Sequence, residues 1–351
     1  MITFDKVRVE FGDFVALPEF TLDIAEGEFF TFLGPSGCGK TTALRALAGF
    51  NTPTSGRIMI DGKDVTKLAS DKRQIGMVFQ NYALFPSLSV YENIAFGLRV
   101  KKAKEAEVEA RVREVAAQVD LNDAQLSKGI AEMSGGQQQR VAIARALVMK
   151  PRIMLLDEPL SNLDAKLRHQ LRGQLKQLQT EFGITTVYVT HDQDEALALS
   201  DRIAVLNKGH IEQVGTPQEV YNASATEFVC TFIGDANRFT PESSAIIRRD
   251  TGADLDPTLP SYVRIEKIDL LAAPEQAAGR ALTDGVVLSK AYHGLHYNYG
   301  VRLGHSVINA ILPEKGRSAR QFEIGDRVYI AFDREAIMQY PGGPAVQGVA
   351  S

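Results

Sequence analysis

The chain has 351 residues, 44% hydrophobic and 23% charged, and its 39 basic and 43 acidic side chains give a net charge of −4. That length predicts about two domains, each able to bury its own core, and the near-neutral balance argues against a general nucleic-acid partner. Two cysteines, Cys38 and Cys230, exclude a disulfide framework, fit a reducing cytosol and lack metal-ligand spacing.

Residues 1–27 read as β-rich. Val7, Val9 and Phe11 alternate with polar positions, and Thr21 to Ile24 repeats the pattern before a turn at Ala25-Glu26-Gly27. Charge interrupts this stretch, so it is not the apolar core of a signal peptide, and no apolar run is long enough to span a bilayer. The chain is therefore expected to stay on the side of the membrane where it is made. Phe11, before a turn at Gly12, reads either as a ring on which a purine stacks or as a core phenylalanine.

The apolar run Glu28 to Leu33 precedes Gly34-Pro35-Ser36-Gly37-Cys38-Gly39-Lys40-Thr41-Thr42, and Ala43, Leu44, Leu47 and Ala48 follow at helical spacing. This is a strand, a glycine loop and a helix with the spacing G-x-x-x-x-G-K-[ST]. Successive backbone N–H groups and the helix N-terminus point at a polyphosphate, and glycines let the backbone come close to it. Lys40 is placed to reach the β and γ phosphates and Thr41 to ligate magnesium.

Gly76 to Phe79 reads as a strand ending at Gln80, whose amide can touch magnesium or an attacking water. The following Asn81 to Leu88 is apolar, aromatic and broken by proline, which suits either a protein-docking surface or a buried loop. Val108, Val112, Val115 and Val119 mark an amphipathic helix. Ser134-Gly135-Gly136-Gln137 opens another helix with Ser134 as its N-cap, and this N-terminus is a second potential anion site.

Ile153 to Leu156 reads as a buried parallel strand ending in Asp157-Glu158. Ligands sit at that edge of a doubly wound sheet, so Asp157 is suited to magnesium and Glu158 to polarising water. A leucine stripe from Leu167 to Phe182 is core. Thr185 to Thr190 is a strand that delivers His191 to the γ-phosphate, and a last αβ unit ends at His210. Beyond about residue 235 helical stripes vanish, and short β-like runs (262–265, 285–288, 297–303 and 327–332) predict a small all-β barrel. His293, His296 and His305 have no ligand spacing there, and the end from Pro341 reads as a loose tail.

In order, Gly34–Thr42, Gln80, Ser134–Gln137, Asp157-Glu158, Ser161–Asp164 and His191 resemble the phosphate loop, Q-loop, signature, Walker B, D-loop and H-loop of an ABC transporter ATPase. Met133 departs from the family's usual leucine. The resemblance implies an α/β P-loop nucleotide-binding domain over residues 1–235, with a helical insert at about 84–134. It also implies ATP and Mg2+ as cofactors and a head-to-tail homodimer, in which Ser134, Gly135, Gly136, Gln137 and Asp164 of one copy complete the other's site. The segments 80–86, 190–193 and 213–217 are similar to those of bacterial importers for polyamines, ferric iron or phosphonates, with sugars as the alternative. Residues 236–351 resemble an oligosaccharide-binding-like (TOBE) barrel, although Ile265 replaces a proline common in that domain. The implied partners are a permease docked near Gln80 to Leu88 and, indirectly, a solute-binding protein; the implied location is peripheral, on the cytoplasmic face of the inner membrane. A soluble ABC ATPase of translation or repair fits less well, because there is one cradle and only a short insert. A P-loop kinase would need an acceptor pocket in place of 134–137.

Overall fold

The computed structural model describes residues 1–277, 279–314 and 321–341, so the expected loose tail falls outside the described residues beyond Pro341. Its chain divides into two compact units, Met1–Val220 and Tyr221 onward.

In the first unit, β1 (Ile2–Phe11) and β2 (Phe14–Ile24) form a hairpin, with Phe11 opposite Phe14 at its tip. The buried β3 (Phe29–Leu33) leads through the glycine loop into α1 (Lys40–Ala48). Next, β4 (Ser55–Ile60) and β5 (Lys63–Asp64) extend the hairpin into a four-stranded antiparallel sheet of order β2-β1-β4-β5. Then come β6 (Ile75–Val78), α2 (Val90–Val100), α3 (Glu105–Gln118), α4 (Asp123–Leu126) and α5 (Gly135–Leu147). The unit continues with β7 (Ile153–Asp157), α6 (Ala165–Phe182), β8 (Thr185–Thr190), α7 (Gln193–Leu199), β9 (Arg202–Asn207) and β10 (His210–Gly215). Strands β9, β3, β8, β7 and β6 lie parallel in that order, with β10 antiparallel on the edge.

Period-two alternation sends each buried strand into two cores. Phe30, Phe32, Leu155, Val187 and Val189 meet α1 and the antiparallel sheet, whereas Phe29, Met154, Leu156 and Tyr188 meet α2, α3, α5 and α6. The valine stripe of α3 is buried as expected. Helix α2 lies within the stretch at about 84–134 expected to be a helical insert, and it starts at a capping box in which Ser89 Oγ accepts from Glu92 N–H and the Glu92 carboxylate accepts from Ser89 N–H. What positions the site is register: Leu33 pairs with Thr190, Val189 with Asp157 and Leu156 with Val78. Four neighbouring strands thus end together, and Gly34, His191, Glu158 and Gln80 leave from one edge.

Helices α8 (Pro217–Asn222) and α9 (Glu227–Phe232) precede the β-rich part. In the second unit β11 (Ala236–Phe239) is followed by α10 (Pro241–Thr251), β12 (Ser261–Arg264), β13 (Asp269–Leu271), β14 (Ala281–Tyr292), β15 (His296–Leu303), β16 (Ser306–Pro313), β17 (Arg327–Phe332) and β18 (Met338–Gln339). A five-stranded antiparallel sheet of order β13-β17-β14-β15-β16 curls into a half-barrel around Val287, Val301, Ile308 and Ile330. The expectation that helices vanish beyond residue 235 fails at α10. Its buried side includes Ser243, Ser244 and Thr251 with Ile247, so polarity hides its stripe.

Candidate nucleotide-binding site

The glycine loop is shaped by close packing on one side and openness on the other. A Cβ on Gly34 would sit 2.3 Å from Leu206 O, and one on Gly39 2.8 Å from Leu17 Cδ2, so both positions exclude any larger residue. Gly37 and Gly39 have φ of +79° and +102°, the left-handed region that favours glycine. A Cβ on Gly37 would meet nothing within 4 Å. The loop therefore bows into open space, with Ser36 and Gly37 exposed and Thr41 and Thr42 half-buried behind it. The first N–H groups of a helix have no intrahelical partner, so those of α1 are available to an anion beside this loop. Lys40 is 4% exposed, and its Nζ donates to Gly34 O at 2.8 Å and Pro35 O at 2.9 Å. Burial pushes the Cys38 thiol up, so it stays protonated beneath the loop.

At the end of β7 the Asp157 carboxylate accepts from Thr41 Oγ1 at 3.0 Å. Burial holds its pKa above the usual carboxylate range despite that hydrogen bond. A buried carboxylate beside a hydroxyl fits a hard divalent cation whose other ligands are phosphate and water. Among the described residues no three His, Cys, Asp or Glu gather into a metal cage.

Glu158 is the next residue and points elsewhere. Its φ of +45° is uncommon for a side chain of this size, and its N–H continues the ladder to Val189 O at 3.0 Å. Its Oε2 lies 3.2 Å from His191 Nδ1 and accepts from Gln80 Nε2 at 3.3 Å. Two residues at distant sequence positions thus converge on one oxygen of a third. Gln80 also reaches Ser161 Oγ at 3.5 Å, and Asn162 Nδ2 donates to Gln80 O at 3.0 Å. Asp164 caps α6 by accepting from Leu167 N–H at 2.9 Å.

Ser134 to Gln137 start α5 with Gln137 Oε1 accepting from Ser134 N–H at 2.9 Å, while the Ser134 hydroxyl makes no capping bond. A Cβ on Gly136 would strike Leu167 at 2.6 Å, so this turn rests against α6. Among the described residues no hydrogen bond joins it to the Gly34–Thr42 loop. Phe11 is 50% exposed at the hairpin tip, and Phe14, which the sequence reading passed over, is 63% exposed beside it.

Residues 17–161 match the ABC transporter family and residues 262–338 the TOBE domain. The spermidine/putrescine import ATP-binding protein PotA of Bacillus thuringiensis (strain Al Hakam) is 44% identical over 95% of this chain and 97% of its own length. The chain belongs to the ATP-binding subunits of ABC transporters. The PotA of Thermobifida fusca (strain YX) is 45% identical over 93% of this chain and 89% of its own. A solved dimer of the ATP-binding cassette MJ0796, bound to ADP and Pi, aligns with a TM-score of 0.56 and 36% identity over 62% of this chain and 99% of its own. This ABC subunit is accordingly an ATPase of the import class, built from a cassette and a TOBE barrel.

Behind the edge lies a network that sequence reading missed. Glu195, buried on α7, accepts from Tyr188 OH at 2.7 Å and Thr190 Oγ1 at 2.8 Å, while Arg168 approaches its other oxygen at 3.8 Å. Asp192 caps α7 and pairs with Arg168 at 3.2 Å. Both neighbours of His191 in the chain are therefore tied down. The only signal was a glutamate on an apolar helix face, which single-sequence reasoning treats as solvent-facing.

Proposed function

We propose that two copies of this chain drive polyamine import, docked on permease subunits at the cytoplasmic face of the inner membrane and stimulated by a solute-binding protein. The observation that carries the ATPase reading is the meeting of Gln80 and His191 on Glu158 Oε2, at the residue next to Asp157 of the Lys40–Thr41–Asp157 group. Identity to spermidine/putrescine import proteins along nearly the whole chain supports the solute.

In this reading Ser36 to Thr42 hold the phosphates of ATP, and Lys40 turns from the loop carbonyls to the β and γ oxygens. Thr41 and Asp157, with Gln80 nearby, hold Mg2+, which neutralises phosphate charge when bound. Glu158 takes the proton of the attacking water, and His191 and Gln80 aim its carboxylate. Its left-handed backbone is strain held at the point of chemistry. Phe11 stacks on adenine. Ser134, Gly135, Gly136, Gln137 and Asp164 of the second copy close the site.

The test uses the subunit co-assembled with its membrane partners in nanodiscs. Binding protein loaded with spermidine should raise ATP hydrolysis above that with binding proteins loaded with ferric iron, a phosphonate or maltose; equal or absent stimulation overturns the polyamine assignment. Glu158→Gln should cut turnover by about 10²–10⁴-fold with ATP still bound. Unchanged turnover would remove Glu158 from its role.

A further inference from the structure

The loop after Gln80 is held in an unfavourable shape by one side chain from another element. Tyr82 and Ala83 have φ of +61° and +47°, two consecutive non-glycine residues in the left-handed region. Arg145, on α5, donates through Nη2 to Tyr82 O at 2.8 Å and through Nη1 to Ala83 O at 2.7 Å. Its guanidinium also sits 5.6 Å from the centre of the Phe85 ring. Desolvation lowers its pKa, but an arginine stays charged at any physiological pH. Planar fork geometry lets one arginine grip two carbonyls, which a lysine cannot reproduce.

What the grip connects gives it a purpose. Helix α5 starts at Ser134, and Arg145 stands eleven residues along it, roughly 16 Å from that end. On the other side the clamped loop carries Phe85, 37% exposed, its ring centre 4.5 Å from that of Phe96 at a tilt of 40°, and Phe96 is itself 42% exposed. Asn93 on α2, fully buried, holds the same segment by accepting from Phe85 N–H at 2.9 Å and donating to Phe85 O at 3.1 Å. The loop's start is fixed as well, through Gln80 to Glu158 and Asn162.

We infer that Arg145 is the positioning residue that makes the Ser134 helix, the Gln80 loop and the exposed Phe85–Phe96 face move as one body, so that closure over nucleotide displaces the permease-facing surface. The inference rests on the reading that this aromatic face receives the permease. Without the fork, the 82–85 segment relaxes independently of α5 and closure no longer reaches Phe85.

The experiment uses the complete importer in nanodiscs with spermidine-loaded binding protein, comparing Arg145→Lys and Arg145→Gln with the parent. Each should lower the ratio of stimulated to unstimulated hydrolysis by about tenfold, the scale of one charged hydrogen bond. ATP affinity and unstimulated turnover of the free subunit should be unchanged. Two variants guard against misfolding, since Lys keeps the charge and Gln keeps an amide donor. Full stimulation in either folded variant, or a parallel loss of ATP binding and unstimulated turnover, overturns the strut. Phe85→Glu separates the readings: if it still assembles with the membrane subunits, the docking face is wrong and the strut falls with it. If Phe85→Glu loses assembly while Arg145→Lys keeps stimulation, only the strut falls.

Discussion

Lys40 in the first unit and Arg264 in the second are both buried cations, at 4% and 1% exposure, yet their surroundings differ in kind. Arg264 is saturated. It donates to Tyr221 O, Cys230 O, Gly234 O and Ser224 Oγ, and its guanidinium lies 4.4 Å from the Tyr221 ring. Those acceptors belong to α8, α9 and the turns around them, and together they occupy every N–H direction of the guanidinium fork. Lys40 leans on two carbonyls of a loop whose next glycine, Gly37, opens on empty space. A buried charge is therefore no mark of a site by itself. What marks one is whether the charge can exchange its present acceptors for a ligand's.

The largest effects should come from crossing the same substitution between the two positions. Lys40→Met should weaken ATP binding by about 10–100-fold, the worth of one charge-assisted hydrogen bond to phosphate, and leave the melting temperature near the parent's. Arg264→Met leaves several buried carbonyls without a donor and should destabilise the chain by about 2–4 kcal/mol. ATP affinity measured below the melting transition should stay put. Calorimetry and nucleotide titration of both variants check this, and a stability loss at Lys40 equal to that at Arg264 would erase the distinction.

A smaller effect sharpens the same contrast through pH. Burial raises Asp157 above the ordinary carboxylate value in the folded chain. A group raised on folding contributes stability that is present below its unfolded pKa and lost as pH rises through the folded one. In the absence of nucleotide and metal, stability should therefore decline as pH rises from the unfolded carboxylate value through the raised folded one. Asp157→Asn should flatten that decline, whereas parent protein with Mg2+ and ATP should regain stability that the variant does not. Denaturant titrations at several pH values test it, and an unchanged slope in Asp157→Asn would place the burden on other groups, Glu195 first, which burial also raises.

Much of the edge was legible because its residues follow strands whose apolar runs are plain in sequence. Gly34, Gln80, Asp157, Glu158 and His191 all leave the ends of β3, β6, β7 and β8, and their types declare phosphate, metal and water chemistry. Sequence could not give the strand order, and only that order brings Gln80 and His191 onto one oxygen. Helix α2 falls within the helical insert that the family resemblance implies, and Ser89 and Glu92 spell the capping box that fixes its start. Helix α10 was missed because serines and threonines pack its inner face, although Thr240-Pro241 is a start signal. Arg145 and Glu195 escaped because their partners are carbonyls and hydroxyls far away in the chain, and charge on a helix reads as solvated until its neighbours are known.

The smallest effect decides whether the Glu195 network belongs with Lys40 or with Arg264. Glu195 Oε2 takes hydrogen bonds from Tyr188 and Thr190, which flank the path to His191, while its other oxygen faces Arg168, whose Nε has no hydrogen-bond partner. Glu195→Gln keeps the volume and one acceptor oxygen for both hydroxyls but removes the charge opposite Arg168. If the network positions His191, turnover should fall by about three- to tenfold, a fraction of a full catalytic group's effect, with KM for ATP unchanged because the phosphates are held elsewhere. A merely structural role predicts the opposite split, in which the melting temperature drops as for Arg264→Met while turnover per folded molecule stays the same. That result would make Glu195 a staple like Arg264, and the ability to exchange partners would then be confined to the glycine loop and the oxygens at the strand ends.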